Sequence, residues 1–236
     1  MNPTTDLRQY SETALAAARQ LRRFSACLLR ADDDRLEPSR FILDDGTGDP
    51  ILCVSRGFAS EELLTLHAPD DTFENPDAVH LNGSVVSLFP EKSRADDAAR
   101  DKWLMAFASH STGNTDDATR SVFIRLEVDS LKTEATGHTT VLDGREARIA
   151  NPLLPYLGTL CKHANADPTA LAAFVLRETG TQPESGRAVS FDPWGMHIRA
   201  TFGLIRIEHP VALTTEADVM AYLDARLSDA RTSGRD

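Results

Sequence analysis

Apolar and polar positions alternate along this chain with two different periods. From Ser11 the apolar residues Leu15, Ala18, Leu21 and Phe24 recur at helical spacing, which predicts an amphipathic helix with Ser11 as its N-cap. The pattern then shortens to apolar runs at Ser25–Leu29, Phe41–Leu43 and Ile51–Val54, separated by an acidic turn at 31–37 and by Asp44–Pro50. Short strands divided by Asp- and Gly-rich turns predict an antiparallel meander. The stretch 67–77 is rich in Asp and Pro and reads as a loop. Ala78–Phe89 reads as a strand with Gly83 marking a bulge. Ala95–His110 reads as a helix with Ala99, Trp103 and Phe107 on one face, followed by a loop at Ser111–Asp117. Val122, Ile124, Leu126 and Val128 alternate with Phe123, Arg125 and Glu127, the clearest half-buried strand of the chain. Leu131–Leu142 reads as one further strand running through Gly137.

The character changes between Asp143 and Pro155, where Gly144, Asn151, Pro152 and Pro155 cluster. A boundary there divides the chain into residues 1–146 and 147–236. The second part has helical patterns at Leu153–Asn165 and Pro168–Glu178. Short strands follow at Ala188–Phe191, His197–Phe202 and Leu204–Ile207, the first two joined by the turn Asp192-Pro193-Trp194-Gly195, and a closing helix runs over Glu216–Ser228. The tail from Arg231 should fray. The expected class is α+β: an antiparallel barrel followed by a small α/β domain.

Composition narrows the function classes. A net charge of −11 disfavours non-specific attraction to nucleic acid or anionic lipid. No apolar run approaches the roughly 20 residues of a membrane span, and the polar stretch Met1–Tyr10 does not read as a secretory signal. A soluble cytoplasmic protein is expected. Cys27, Cys53 and Cys161 form no CxxC pair and sit in apolar contexts, which predicts free thiols and no structural zinc site. There is no Gly-x-Ser-x-Gly elbow, so a hydrolase is not expected.

The order of elements, read with His163-Ala164-Asn165-Ala166-Asp167, the run Asp192-Pro193-Trp194-Gly195-Met196-His197-Ile198-Arg199, Arg206-Ile207 and the terminal helix from Glu216, resembles one family. It is similar to the FMN-binding split-barrel superfamily that contains pyridoxamine 5′-phosphate oxidase, and within it to the haem-utilisation branch. The resemblance covers the chain from about Ala14 to Leu227 and implies a homodimer with FMN at the subunit interface. It implies that the flavin phosphate sits beside Arg40, Ser55, Arg56 and Ser60, where guanidinium forks and hydroxyls are the donors a phosphate needs. Strand-edge charges and turn caps are competing roles for the same residues.

The chain departs from the family pattern in four places. Pro168 stands where a second histidine is expected, and His209 stands where an aromatic residue usually follows the strand of Arg206. Glu61 and Glu62 occupy a zone where a cation is expected, and Ser228–Asp236 lacks a histidine for haem iron. Trp103 is a candidate wall for the flavin ring, or simply core. Among the seven histidines, His163 and His209 fall in the small domain and His110 at a helix end, and each is also readable as a structural residue. Asp32-Asp33-Asp34 and Asp116-Asp117 read as solvated turns. Three readings follow: an FMN-dependent oxidoreductase acting on a small-molecule ligand, a haem-binding or haem-degrading protein, and a dimeric non-catalytic module whose flavin site has decayed. None assigns a catalytic acid or base, because in such proteins the chemistry belongs to the cofactor.

Overall fold

The structure is a computed structural model that describes residues 6–69, 77–88, 94–107, 121–135 and 138–233. Contacts divide it into two units, one of Arg8–Ala150 and one carried chiefly by the residues from Asn151 on.

The first unit opens with helix α1 (Glu12–Leu21), whose N-cap Ser11 accepts a hydrogen bond from the Ala14 N–H at 3.1 Å. Strands β1 (Ala26–Arg30), β2 (Leu36–Leu43) and β3 (Pro50–Ser55) form the expected meander, and the short helix α2 (Arg56–Ala59) follows β3. Strand β4 (Leu63–Ala68) then pairs with β1, β5 (Val79–Ser87) with β4, and β6 (Ser121–Ala135) with β5. β6 also pairs with β3, which closes a six-stranded antiparallel barrel in the order β3-β2-β1-β4-β5-β6. β7 (His138–Asp143) adds to β6 outside that ring, and α4 (Gly144–Ala147) follows it.

Two sequence expectations need correction here. The residues read as one strand through Gly137 are a hairpin: β6 continues to Ala135 and β7 returns along it from His138. His67 and Ala68, read as the start of a loop, are the end of β4, a strand whose alternation of buried Leu64 and Leu66 with half-buried Thr65 is cut short by Pro69. The bulge at Gly83 is present, with the register shifting between Asn82 and Gly83. A Cβ there would sit 2.6 Å from the Glu127 carbonyl, so only glycine allows the two strands to approach so closely. His110, the loop at 111–117 and Asp116-Asp117 lie outside the described residues.

Alternation places Cys27, Leu29, Phe41, Leu52, Leu64, Leu66, Leu81, Ile124, Leu126 and Leu131 inside the barrel, all nearly fully buried. Helix α3 (Arg94–Phe107) packs on the outside of β2 and β3. Its Trp103 ring lies 4.9 Å from Phe107 and 5.4 Å from Phe123, and the indole N–H donates to the Arg40 carbonyl at 3.1 Å. That contact set makes Trp103 part of the packing. Lys102 donates to the Leu43 carbonyl at 2.7 Å and pairs with Asp45, and Arg125 of β6 pairs with Asp44 at 2.9 Å and with Asp96 of α3 at 3.8 Å, which ties the helix to the start of the β2–β3 turn. Below them the fully buried Asp49 carboxylate accepts from Val128 N at 3.0 Å and from Arg148 at 2.9 Å.

The second unit has helices α5 (Leu157–Ala164), α6 (Pro168–Thr179) and α7 (Glu216–Ser233) against a sheet of β8 (Arg187–Asp192), β9 (Gly195–Ala200) and β10 (Gly203–Glu208). Leu160, Phe174, Phe191, Met196, Ile198, Val219 and Leu223 form its core. Asp167 caps α6 by accepting from Ala170 N at 2.9 Å. Pro168 then occupies the first helical turn, where a missing N–H costs nothing. No described helix is long and apolar enough to cross a membrane.

Candidate functional site

Two clusters combine polar chemistry with a defined position. The first lies at the end of the barrel where β3 finishes, β2 and β4 begin, and α2 packs against β3, β5 and β6 with Phe58 buried beneath it. Of the four residues expected to hold a phosphate, Ser55, Arg56 and Ser60 share this turn. Arg40 leans over the Phe107 ring of α3, its guanidinium 5.7 Å from the centroid. Ser55 is the N-cap residue of α2 in position, but its side chain makes no cap hydrogen bond. Instead its hydroxyl donates to Glu37 Oε2 at 2.5 Å and its backbone N–H donates to Glu37 Oε1 at 2.8 Å. Ser60 donates to the Gly57 carbonyl at 2.8 Å. Arg56 is exposed.

Arg35, which the sequence reading did not single out, is the other principal donor here. Its guanidinium stacks 5.4 Å above the Phe58 ring, donates to Asp33 at 2.6 Å and pairs with Glu61. The hydrogen bond from Arg35 holds the Asp33 carboxyl below its usual range, and the same bonds from Asp33 and Glu61 raise the Arg35 value. Arg35 and Ser55 converge over Gly57: a Cβ built there would have the Arg35 Nη1 at 3.3 Å and the Ser55 hydroxyl at 3.8 Å. Two donors thus face one spot free of side chain, and both already hold carboxylates of this chain. An anion brought to Ser55 or Arg35 would meet Glu37 or Glu61 already there.

The second cluster is in the smaller unit. Asp192 and Arg206 form a two-pronged ion pair, at 2.7 and 3.0 Å, with both side chains only 8% exposed. Asp192 also accepts from Trp194 N at 2.9 Å, closing the turn to Gly195. A Cβ on Gly195 would stand 2.5 Å from the Ile207 carbonyl and 3.0 Å from Arg206 Nη2, so the glycine is what admits the guanidinium. This explains the Asp-x-x-Gly turn and the downstream arginine together.

His209 follows β10, and its N–H donates to the Trp194 carbonyl at 2.8 Å. Its ring is 1% exposed, lies 4.8 Å from Tyr222, and has Nδ1 3.4 Å from the Pro193 carbonyl. Burial pushes its pKa down to about 4, so the imidazole is neutral at neutral pH. Its Nε2 has no hydrogen-bond partner among the described residues. His163 differs on each count: it is 35% exposed and its Nε2 lies 2.8 Å from Asp224. Asn165 exchanges two 2.9 Å hydrogen bonds with the Ala188 backbone, tying α5 to β8. The segment 163–167 therefore organises this unit.

In the barrel unit, His67 and His80 face each other across β4 and β5 with Nδ1 atoms 2.6 Å apart, a distance that requires one shared proton. Burial, then His80 and Arg30, push His67 down to about 4. No cluster of three or more metal-ligating side chains occurs among the described residues, and Cys27, Cys53 and Cys161 are not joined in a disulfide.

No family profile matches the chain, and no curated protein matches its sequence. Solved structures do. A protein of unknown function from Agrobacterium tumefaciens strain C58 aligns over 97% of this chain and all of its own length, with 13% identity and a TM-score of 0.61. A haem-binding protein from Mycobacterium smegmatis aligns over 94% of this chain and 98% of its own, with 20% identity and a TM-score of 0.48. HutZ, the haem storage protein of Vibrio cholerae, aligns over 55% of this chain and 99% of its own, with 12% identity and a TM-score of 0.35. The closed six-stranded antiparallel barrel with its added strand, followed by a unit built on a three-stranded sheet, is an α+β fold that this chain shares with the Agrobacterium protein.

Proposed function

We propose that this chain is a haem-binding split-barrel protein, active as a homodimer, in which His209 offers its imidazole to the iron. The observation that carries the reading is the state of that ring. A ligand histidine bonds through one nitrogen while its other N–H is directed at a carbonyl or carboxylate. His209 is neutral, turns Nδ1 toward Pro193 O and keeps Nε2 bare. Tyr222 of α7 lies against the ring, and the segment after β10 is tied to the same turn by the Leu213 N–H on the Pro193 carbonyl at 2.8 Å. With His209 only 1% exposed, iron reaches Nε2 only if the ring's surroundings move. The bound group would supply iron chemistry; the chain's part is to hold the imidazole in the right tautomer and exclude water.

The flavin oxidoreductase reading would draw on Arg40, Ser55, Arg56 and Ser60. Two of those hydroxyls already donate within the chain, which favours haem over FMN. Hemin titration followed at the Soret band tests the proposal. Wild type is expected to give a saturable shift that His209→Ala loses and His163→Ala keeps, with circular dichroism showing that both variants fold. An equal shift in His209→Ala means that another group holds the iron. Light scattering at low micromolar concentration checks the dimer, and a clean monomer would remove that part of the reading.

A further inference from the structure

We infer that the mouth of the barrel is an anion site filled from within, so that this chain excludes flavin phosphate by means of Glu37 and Glu61. Loops of this kind take a phosphate by aiming hydroxyl, backbone N–H and guanidinium donors at one place. Those donors are present: the Ser55 hydroxyl and N–H, and Arg35 over the bare Cα of Gly57. What occupies them is a carboxylate from the start of β2 and another from the connection between α2 and β4.

The geometry is that of a bound anion. Glu37 spans both Ser55 donors with separate oxygens, at 2.8 and 2.5 Å, as an external oxyanion would. Arg35 is pinned between Asp33 and Glu61 and is stacked on Phe58, so it cannot turn to a phosphate without giving up two ion pairs and a ring contact. Each glutamate presents a like charge to an incoming dianion on the donors it holds. Glu61 was visible in the sequence as an acid in the wrong place. Glu37 was not, since it lies 18 residues before Ser55 and reaches it only because β2 and β3 pair.

The inference does not depend on the haem reading. It makes FMN binding a latent property that two substitutions uncover. Flavin fluorescence quenching is measured on wild type, on Glu37→Gln/Glu61→Gln, which removes the charge but keeps the bulk, and on Glu37→Ala/Glu61→Ala, which removes both. Riboflavin, which lacks the phosphate, is the parallel probe, and thermal melts establish that each protein is folded. Wild type is expected to be silent toward FMN. The alanine pair is expected to bind FMN at least about 100-fold more tightly than wild type, with the glutamine pair in between and riboflavin unaffected throughout. If the alanine pair does not fold, the glutamine pair decides by the same comparison. Micromolar FMN binding by wild type overturns the inference. So does a folded variant that gains nothing, or a gain shared equally by riboflavin.

Discussion

Replacing Arg206 with alanine is expected to destabilise the smaller unit by about 3–5 kcal/mol, the cost of leaving a buried charge without its partner. Asp192 would keep the hydrogen bond from Trp194 N but lose both arms of the guanidinium, at a site where the two side chains are 8% exposed. Water cannot replace the lost donors without opening the turn that Gly195 packs against β10. Two apolar residues in place of both Asp192 and Arg206 should cost much less, because no charge is then stranded. The chain has two tryptophans, Trp103 in the barrel and Trp194 in this turn, so a Trp103→Phe background reports the smaller unit alone. In urea, a loss of this size lowers the midpoint by at least about 1 M. A shift of a few tenths molar would mean that solvent reaches the pair.

Stability should also fall as the pH drops from about 6.5 toward 4, in both units. His209 and His67 each have a folded pKa of about 4 against an ordinary 6.5. Below pH 6.5 the unfolded chain takes up a proton at each position that the folded chain refuses, so the stabilisation is complete above that value and is lost as the pH approaches 4. For His209 the full loss is about 3 kcal/mol, at 1.36 kcal/mol per pKa unit. The charged groups around it do not reverse the sign: Asp192 raises the value, Arg206 lowers it, and burial outweighs both. For His67 the neighbouring His80 and Arg30 reinforce burial. Urea unfolding from pH 7.5 to 4 tests this, and His209→Phe should flatten the profile of the smaller unit while leaving that of the barrel. A profile for His209→Phe as steep as wild type would place the acid sensitivity elsewhere.

The sequence was most legible where local pattern decides structure. The alternation in Val122–Val128 marks β6, Ser11 caps α1, and the Asp192–Gly195 turn sits between two strands because a buried arginine requires both ends of it. It was less legible where tertiary pairing decides. β4 is short and ends at a proline, so its alternation is too brief to outweigh the turn residues after it. β7 pairs antiparallel with β6 from His138 on, and the sequence of the two strands reads equally well as one bulged strand. At the barrel mouth the hydroxyls and arginines were readable as donors, but what they bond to was not. Glu37 reaches Ser55 across the sheet, and Arg35 reaches Glu61 across 26 residues of sequence that include β2, β3 and α2. In the smaller unit the histidines could be named but not ranked, because the contrast between His163 and His209 is one of burial and partner.

The most direct test of the account is a competition on one sample. Protein freed of small molecules is mixed with equimolar hemin and FMN, desalted, and its visible spectrum recorded. A retained haem band without flavin, lost when His209 is alanine, is the predicted result. A retained flavin spectrum without haem would contradict both the closed barrel mouth and the role given to His209.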